Sequence, residues 1–167
     1  MTGPHSIFLV RHAIAAERGE AWPEDAERPV TKRGAERMRQ AARGLVALGV
    51  TFDVILTSPL VRAVETADIL AAAYRPAPGR DVCPLLAPGT PPARMAAGLE
   101  AWAGKRHVAL VGHEPDLGQL AAWLIGAQHP LPFKKGGACR IDVPALPPSR
   151  NGQLIWFATP RMLRAAR

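Results

Sequence analysis

Cysteine is scarce in this chain. Only Cys83 and Cys139 occur in 167 residues. They lie far apart and outside any metal or redox spacing, which excludes a disulfide scaffold and predicts two reduced thiols. Aromatic residues are also few: four Trp, four Phe and one Tyr. No basic tract is interleaved with them, so the footprint of a nucleic-acid binder is missing although the formal net charge is +7. The arginines are instead spread over presumed helix faces, as in TKRGAERMRQAAR. No apolar run is long enough to span a bilayer, and no basic segment followed by a long apolar one opens the chain. A cytoplasmic protein with no membrane and no nucleic-acid partner is therefore expected. Neither a repeat nor a linker stands out, which predicts one domain over residues 1–167, with a monomer as the simplest oligomeric state. Apolar residues make up 48% of the chain, enough to build a core.

The apolar residues are grouped in a telling way. Residues 7–10 read as a short buried strand. The charged, proline-containing stretch 16–30 reads as a long surface excursion, and long loops in compact domains are often functional. A helix is predicted over 32–48, with Thr31 as N-cap and Gly49 at its end. Its stripe is Ala35, Met38, Ala42, Leu45 and Val46. Residues 54–57 form a strand, followed by a helix with Ser58 as N-cap, Pro59 at its first position and Leu60, Val64, Ala67 and Leu70 or Ala71 inward. Residues 75–93 read as loop with a short strand near Val82, and 92–103 as a helix of about three turns. A strand over 107–111 leads through Gly112 and His113 into a helix over 115–125 that Gly126 closes. ACRIDV and QLIWFAT read as two late strands, and the Arg-rich tail as a terminal helix or a frayed end. Strands alternating with helices predict an α/β fold, a three-layer α/β/α sandwich with a mostly parallel central sheet.

Three of these strands end in polar side chains. The first ends at Arg11 and His12. The second leads to Ser58, Pro59 and then Arg62. The third ends at His113. Ligands of an open parallel sheet sit beyond the carboxyl ends of its strands. If these strands are neighbours, two imidazoles and two guanidiniums converge there, beside two helix N-termini with free N–H groups. A phosphoryl group suits that collection. Arginine offers planar paired donors to its oxygens, and a neutral imidazole nitrogen can attack phosphorus. Fixed cations can then stabilise the charge spread over the equatorial oxygens. Taken singly, each residue has a plainer reading, as a capped pair, a surface helix arginine or a histidine bonded to a carbonyl. The plainer reading holds for His107, at the amino end of its strand, and for His5 and His129, which read as solvated loop residues.

LVRHAIA resembles the Arg-His-Gly signature of the histidine phosphatase superfamily, the phosphoglycerate mutase-like proteins, with Ala13 in place of the usual glycine. TSPLVRAVETA resembles its second arginine block and VGHEPDLGQL its second histidine block. The chain length, RPVTKRG, PFKKGGACRIDV and WFATPRML resemble the SixA-type subgroup of small phosphohistidine phosphatases. The resemblance makes His12 the phosphorylated nucleophile, with Arg11, Arg62 and His113 forming its phosphate pocket. It adds Arg28 as a further phosphate contact. It implies no cofactor and no metal, and no ligand cluster is visible. Lys134 and Lys135 could reach a partner surface or lie solvated at a turn.

Many relatives use a Glu or Asp of the mid-chain loop as proton donor. VCPLLAPGTPPARM contains no carboxylate. Glu114, Glu17 or Asp116 could substitute, with Glu114 the first candidate. A general acid contributes ~10²–10⁴-fold, and an alkoxide leaving group needs it far more than an imidazole does. The expected activity is thus hydrolysis of a phosphoryl group through a phosphohistidine on His12, with a histidine-phosphorylated signalling or phosphotransfer protein as substrate. A small-molecule phosphomonoesterase of the same superfamily and a non-catalytic phosphoryl-binding module are the alternatives. The chain is too short for insertions that would enclose a small substrate, which predicts an open, shallow site.

Overall fold

The computed structural model describes residues 4–167. Six strands form one sheet: β1 (His5–Arg11), β2 (Val54–Thr57), β3 (Gly79–Val82), β4 (His107–Gly112), β5 (Ala138–Val143) and β6 (Gln153–Ala158). Their order is β3-β2-β4-β1-β5-β6. Three of the five pairings are parallel; β5 runs against both of its neighbours. The reversal follows from connectivity: residues 126–137 return to the carboxyl edge before β5 begins, so that Ala138 pairs with Val10, and a proline-rich turn rather than a crossover helix joins β5 to β6.

Period-two alternation in the strands builds two cores. Ile7, Leu9, Val54, Leu56, Val108 and Leu110 face one side, where they meet α3 (Pro92–Ala97) and α4 (Asp116–Ile125). Phe8, Val10, Ile55, Ala109 and Val111 face the other, against α1 (Lys32–Ala47), α2 (Val61–Ala72) and α5 (Pro160–Ala165). The fold is the expected three-layer sandwich, built on a mixed sheet.

Most elements fall where the pattern predicts. Thr31 caps α1 by accepting from the Gly34 N–H at 2.9 Å. Gly126, in the left-handed region at φ 70°, closes α4. Four expectations need correction. Val46, placed in the stripe of α1, is exposed. The helix after β2 begins at Val61, not Pro59, because the Ser58 hydroxyl is engaged by His113 at 2.7 Å and only weakly receives the Leu60 N–H at 3.3 Å. Its inward face keeps the predicted Ala67, Leu70 and Ala71, but at the start of the helix Arg62, Ala63 and Thr66 are buried in place of Leu60 and Val64, which are only half-buried. The helix after residue 92 is α-helical only to Ala97 and continues as a 3-10 turn, Gly98–Trp102.

Gly34 matters for the placement of α1. A Cβ there would collide with the backbone carbonyl of Ile14, so only glycine lets the helix sit this close to the segment that follows β1.

Candidate active site

The hydrophobic runs of β1, β2 and β4 end level with one another, because Val10 pairs with Val111 and Val111 with Thr57. Register alone therefore brings the residues that follow these strands to one edge. The rings of His12 and His113 lie 5.1 Å apart, centre to centre. Arg62, in the first turn of α2, directs its Nε to Nε2 of His12 at 3.4 Å. Arg11 turns its Nη1 to the Phe133 carbonyl at 2.8 Å, while its buried Nε has no hydrogen-bond partner among the described residues.

Hydrogen bonding assigns the protons. The carbonyl of Ala13 can only accept, so its 2.7 Å contact places the proton of His12 on Nδ1. That leaves the Nε2 lone pair facing Arg62. The Ser58 hydroxyl can donate to Nε2 of His113, leaving the proton on Nδ1, a buried N–H with no partner among the described residues. Burial lowers the pKa of His12 to about 3, with the His113 ring, Arg62 and Arg11 adding to it against the Ala13 bond, and that of His113 to about 4, with Arg62, Arg11 and Arg28 adding against Asp25. Both rings are neutral at pH 7, as a nucleophile must be.

This has a consequence for stability. The ordinary histidine value is 6.5, so on acidification the unfolded chain takes up protons before the folded one does. Stability is then complete above about pH 6.5 and is lost as pH falls toward 4. Between pH 7 and 5 the loss is expected to be ~1–2 kcal/mol per histidine. Denaturant titrations at the two pH values in phosphate-free buffer check this; a flat profile contradicts it.

Sequence reasoning missed two residues of the site. One is Ser58, read as a helix cap. The other is Asp25, which lies in a short 3-10 turn, Asp25–Glu27, of the 16–30 excursion. The excursion folds back on the end of β1 through the bonds Thr31 N–H to Ile14 carbonyl (2.9 Å) and Ala16 N–H to Pro29 carbonyl (2.8 Å). Asp25 thereby meets Arg62, which donates from Nη2 to Oδ2 at 2.9 Å and from Nη1 to the Asp25 carbonyl at 2.7 Å. Arg28 donates to Oδ1 at 2.9 Å and to the Ala16 carbonyl at 2.6 Å, and Arg18 also reaches Oδ1, at 3.0 Å. Partial burial opposes ionisation of Asp25, but the hydrogen bonds from Arg62, Arg28 and Arg18 outweigh it and hold the carboxyl well below the usual range.

His12 is 6% exposed and His113 4%. The excursion that carries Asp25 packs against the site, because Arg62 and Arg28 hold its carboxylate.

Of the candidate proton donors, Glu114 is half-buried and accepts from the Gly118 N–H at 2.9 Å. Burial raises its pKa, against the Gly118 bond and the attraction of Arg11. Asp116 is bound to the Gly89 N–H at 2.9 Å, and Glu17 is exposed. His107 sits at the amino edge of β4, bonded to Thr51 at 2.9 Å. His129 is exposed, whereas His5 is half-buried and bonds the Lys105 carbonyl at 2.7 Å, which corrects its reading as a solvated residue. Cys83 and Cys139 are both free and buried. No helix of the described residues is long and apolar enough to cross a membrane.

The family model of the histidine phosphatase superfamily (branch 1) matches residues 7–81. An uncharacterised protein of Picosynechococcus sp. is 38% identical, over 94% of this chain and 98% of its own. The phosphohistidine phosphatase SixA of Escherichia coli is 28% identical over 96% and 98%. A solved structure of the protein histidine phosphatase SixA complexed with tungstate superposes with a TM-score of 0.81, at 26% identity over 93% of this chain and 97% of that one. The strand-end histidines and arginines and the whole-length matches agree: the chain belongs to the histidine phosphatase superfamily, with SixA among its homologues.

Proposed function

We propose that this phosphatase acts on phosphohistidine carried by a protein, through a covalent phosphohistidine on His12. The observation that carries the proposal is the lone pair of His12 Nε2. It is freed by the Nδ1–H bond to Ala13 and faces the Arg62 guanidinium inside a cationic pocket. In the first step Nε2 bonds to phosphorus. The substrate's P–N bond breaks, and its electron pair returns to the substrate imidazole, which is already protonated on its other ring nitrogen and so leaves neutral. In the second step water attacks the phosphorus on His12, the P–Nε2 bond breaks with its electron pair returning to the ring, and the water's proton passes to the departing phosphate or to solvent. Arg62, Arg11 and His113 bear on the transferring oxygens, with Arg28 at their margin.

The choice of substrate rests on the acids. Asp25 is the carboxylate nearest Arg62, and three arginines keep it ionised, so it holds no proton to donate at neutral pH. Glu114 is the remaining candidate donor, with its Oε1 accepting from the Gly118 N–H. An imidazole leaves with its own proton more readily than an alkoxide does. Turnover of phosphohistidine is therefore expected to exceed that of a simple alkyl phosphate by ~10²-fold or more. Side-by-side assays test this; equal rates would favour the small-molecule reading.

Asp25 also sets a competition. An incoming phosphoryl group must share or take the Arg62 donors that Asp25 now holds. Asp25→Asn removes that charge and is expected to tighten inorganic phosphate, read as a competitive inhibitor, by roughly fivefold, in line with a partly exposed ion pair. Weaker inhibition would instead make Asp25 a positioning residue for Arg62.

A further inference from the structure

A second concentration of positive charge lies beside the catalytic edge and takes no part in the chemistry above. Between α1, α5 and the turn before β5 is a cavity of about 250 Å³. Five cations border it: Arg37, Lys134, Lys135, Arg161 and Arg164. Its lining includes no carboxylate. None of the five is paired with a carboxylate among the described residues. Holding five like charges together costs free energy, which an anionic partner would recover.

The position is specific. Ala13 lines the cavity and directly follows His12. The lysines sit on a turn closed by the Gly137 N–H to the Lys134 carbonyl at 2.8 Å. The Gly136 N–H of that turn bonds the carbonyls of Arg11 and His12 at 3.1 and 3.2 Å. The lysines are thus tied to the backbone of the catalytic pair, and Thr159 follows β6 at the same sheet edge, with Pro160 and Arg161 opening α5. A ligand here is an immediate neighbour of whatever occupies the pocket of His12.

The form of the site selects the ligand. Lys134, Lys135 and Arg161 are exposed on the rim, whereas Met38, Ala41 and Gly136 line the floor and are buried. Exposed cations above an aliphatic floor suit several carboxylates spread along a chain, with an apolar side chain between them. A lone phosphate would need inward donors of fixed geometry. We propose that this pocket docks a carboxylate-rich segment flanking the phosphorylated histidine of a protein substrate, a proposal that rests on the protein-phosphohistidine reading above.

The test uses a triple variant of exposed side chains, Lys134→Glu, Lys135→Glu and Arg161→Glu. A control of equal charge change, Arg43→Glu, Lys105→Glu and Arg150→Glu, alters exposed residues outside the cavity. The probe for binding is a fluorescent glutamate-rich peptide without phosphate. It is expected to bind the native protein in a salt-sensitive manner, to lose about tenfold or more in affinity with the pocket variant, and to be much less affected by the control. Of two phosphohistidine peptides, the one with acidic flanks is expected to have the higher kcat/KM on the native protein only. Free phosphohistidine, assayed in parallel, reports on the catalytic reading alone. Equal binding to native and pocket variant, equal loss in the control, or no preference for acidic flanks overturns the docking site. Pocket-dependent binding without turnover of any phosphohistidine compound would instead overturn the catalytic reading.

Discussion

Replacing His12 with alanine is expected to abolish detectable turnover while leaving the fold in place. The ring is the one group near Arg62 whose lone pair is held ready, by the Nδ1–H bond to Ala13 at 2.7 Å. No neighbour can inherit the role. His113 has its Nε2 engaged by Ser58 at 2.7 Å, and Asp25, the carboxylate on Arg62, has both oxygens held by arginines. Rapid acid-alkali partitioning of enzyme quenched during turnover with labelled phosphohistidine gives the direct readout. Native protein should carry acid-labile, alkali-stable phosphate, and His12→Ala should carry none. The structural cost should be small, ~1–2 kcal/mol for an orphaned Ala13 carbonyl and a small void. A circular dichroism melt separates that cost from lost chemistry. Phosphate trapped on the alanine variant would remove His12 from the mechanism, and a chain that binds phosphate but is never labelled would be a binding module.

His113→Ala is expected to lower kcat by three or more orders of magnitude, the scale at which residues acting as a unit fail together. Its ring lies 5.1 Å from that of His12, and its Nδ1–H has no hydrogen-bond partner among the described residues. An N–H so placed meets charge on the transferring oxygens as it develops. The effect should fall on kcat more than on KM, because the donor is worth most when the oxygens carry most charge. His113→Asn, which keeps a donor of similar reach, should recover part of the loss. A variant changed only in KM would show that His113 binds the ground state and nothing more.

Much of the fold was legible because it follows from neighbouring residues. The run from Ile7 to Val10 is buried on both faces and reads as a strand without knowledge of its partners. Thr31 and Gly126 mark helix boundaries by their own backbone chemistry. The site blocks were legible for the same reason, since His12, Arg62 and His113 each follow a recognisable apolar run. Ser58 was half-legible: its place before a helix invited a capping role, but its hydroxyl answers to a histidine 55 residues away. Asp25 was not legible. The stretch 16–30 holds five carboxylates, Glu17, Glu20, Glu24, Asp25 and Glu27, with no periodicity to say which one turns inward.

The amino-acid order by itself determined the alternation of strands and helices and the polar residues at each strand's end, because burial patterns and backbone preferences act over a few consecutive residues. Tertiary structure alone decided which imidazole nitrogen is left free and which carboxylate holds Arg62, 37 residues away in sequence. It also gathered cations from two helices and a turn around one cavity. Those outcomes depend on chain closure and mutual approach, and electrostatic and hydrogen-bond energies exist only once the groups have been brought within a few ångströms of one another.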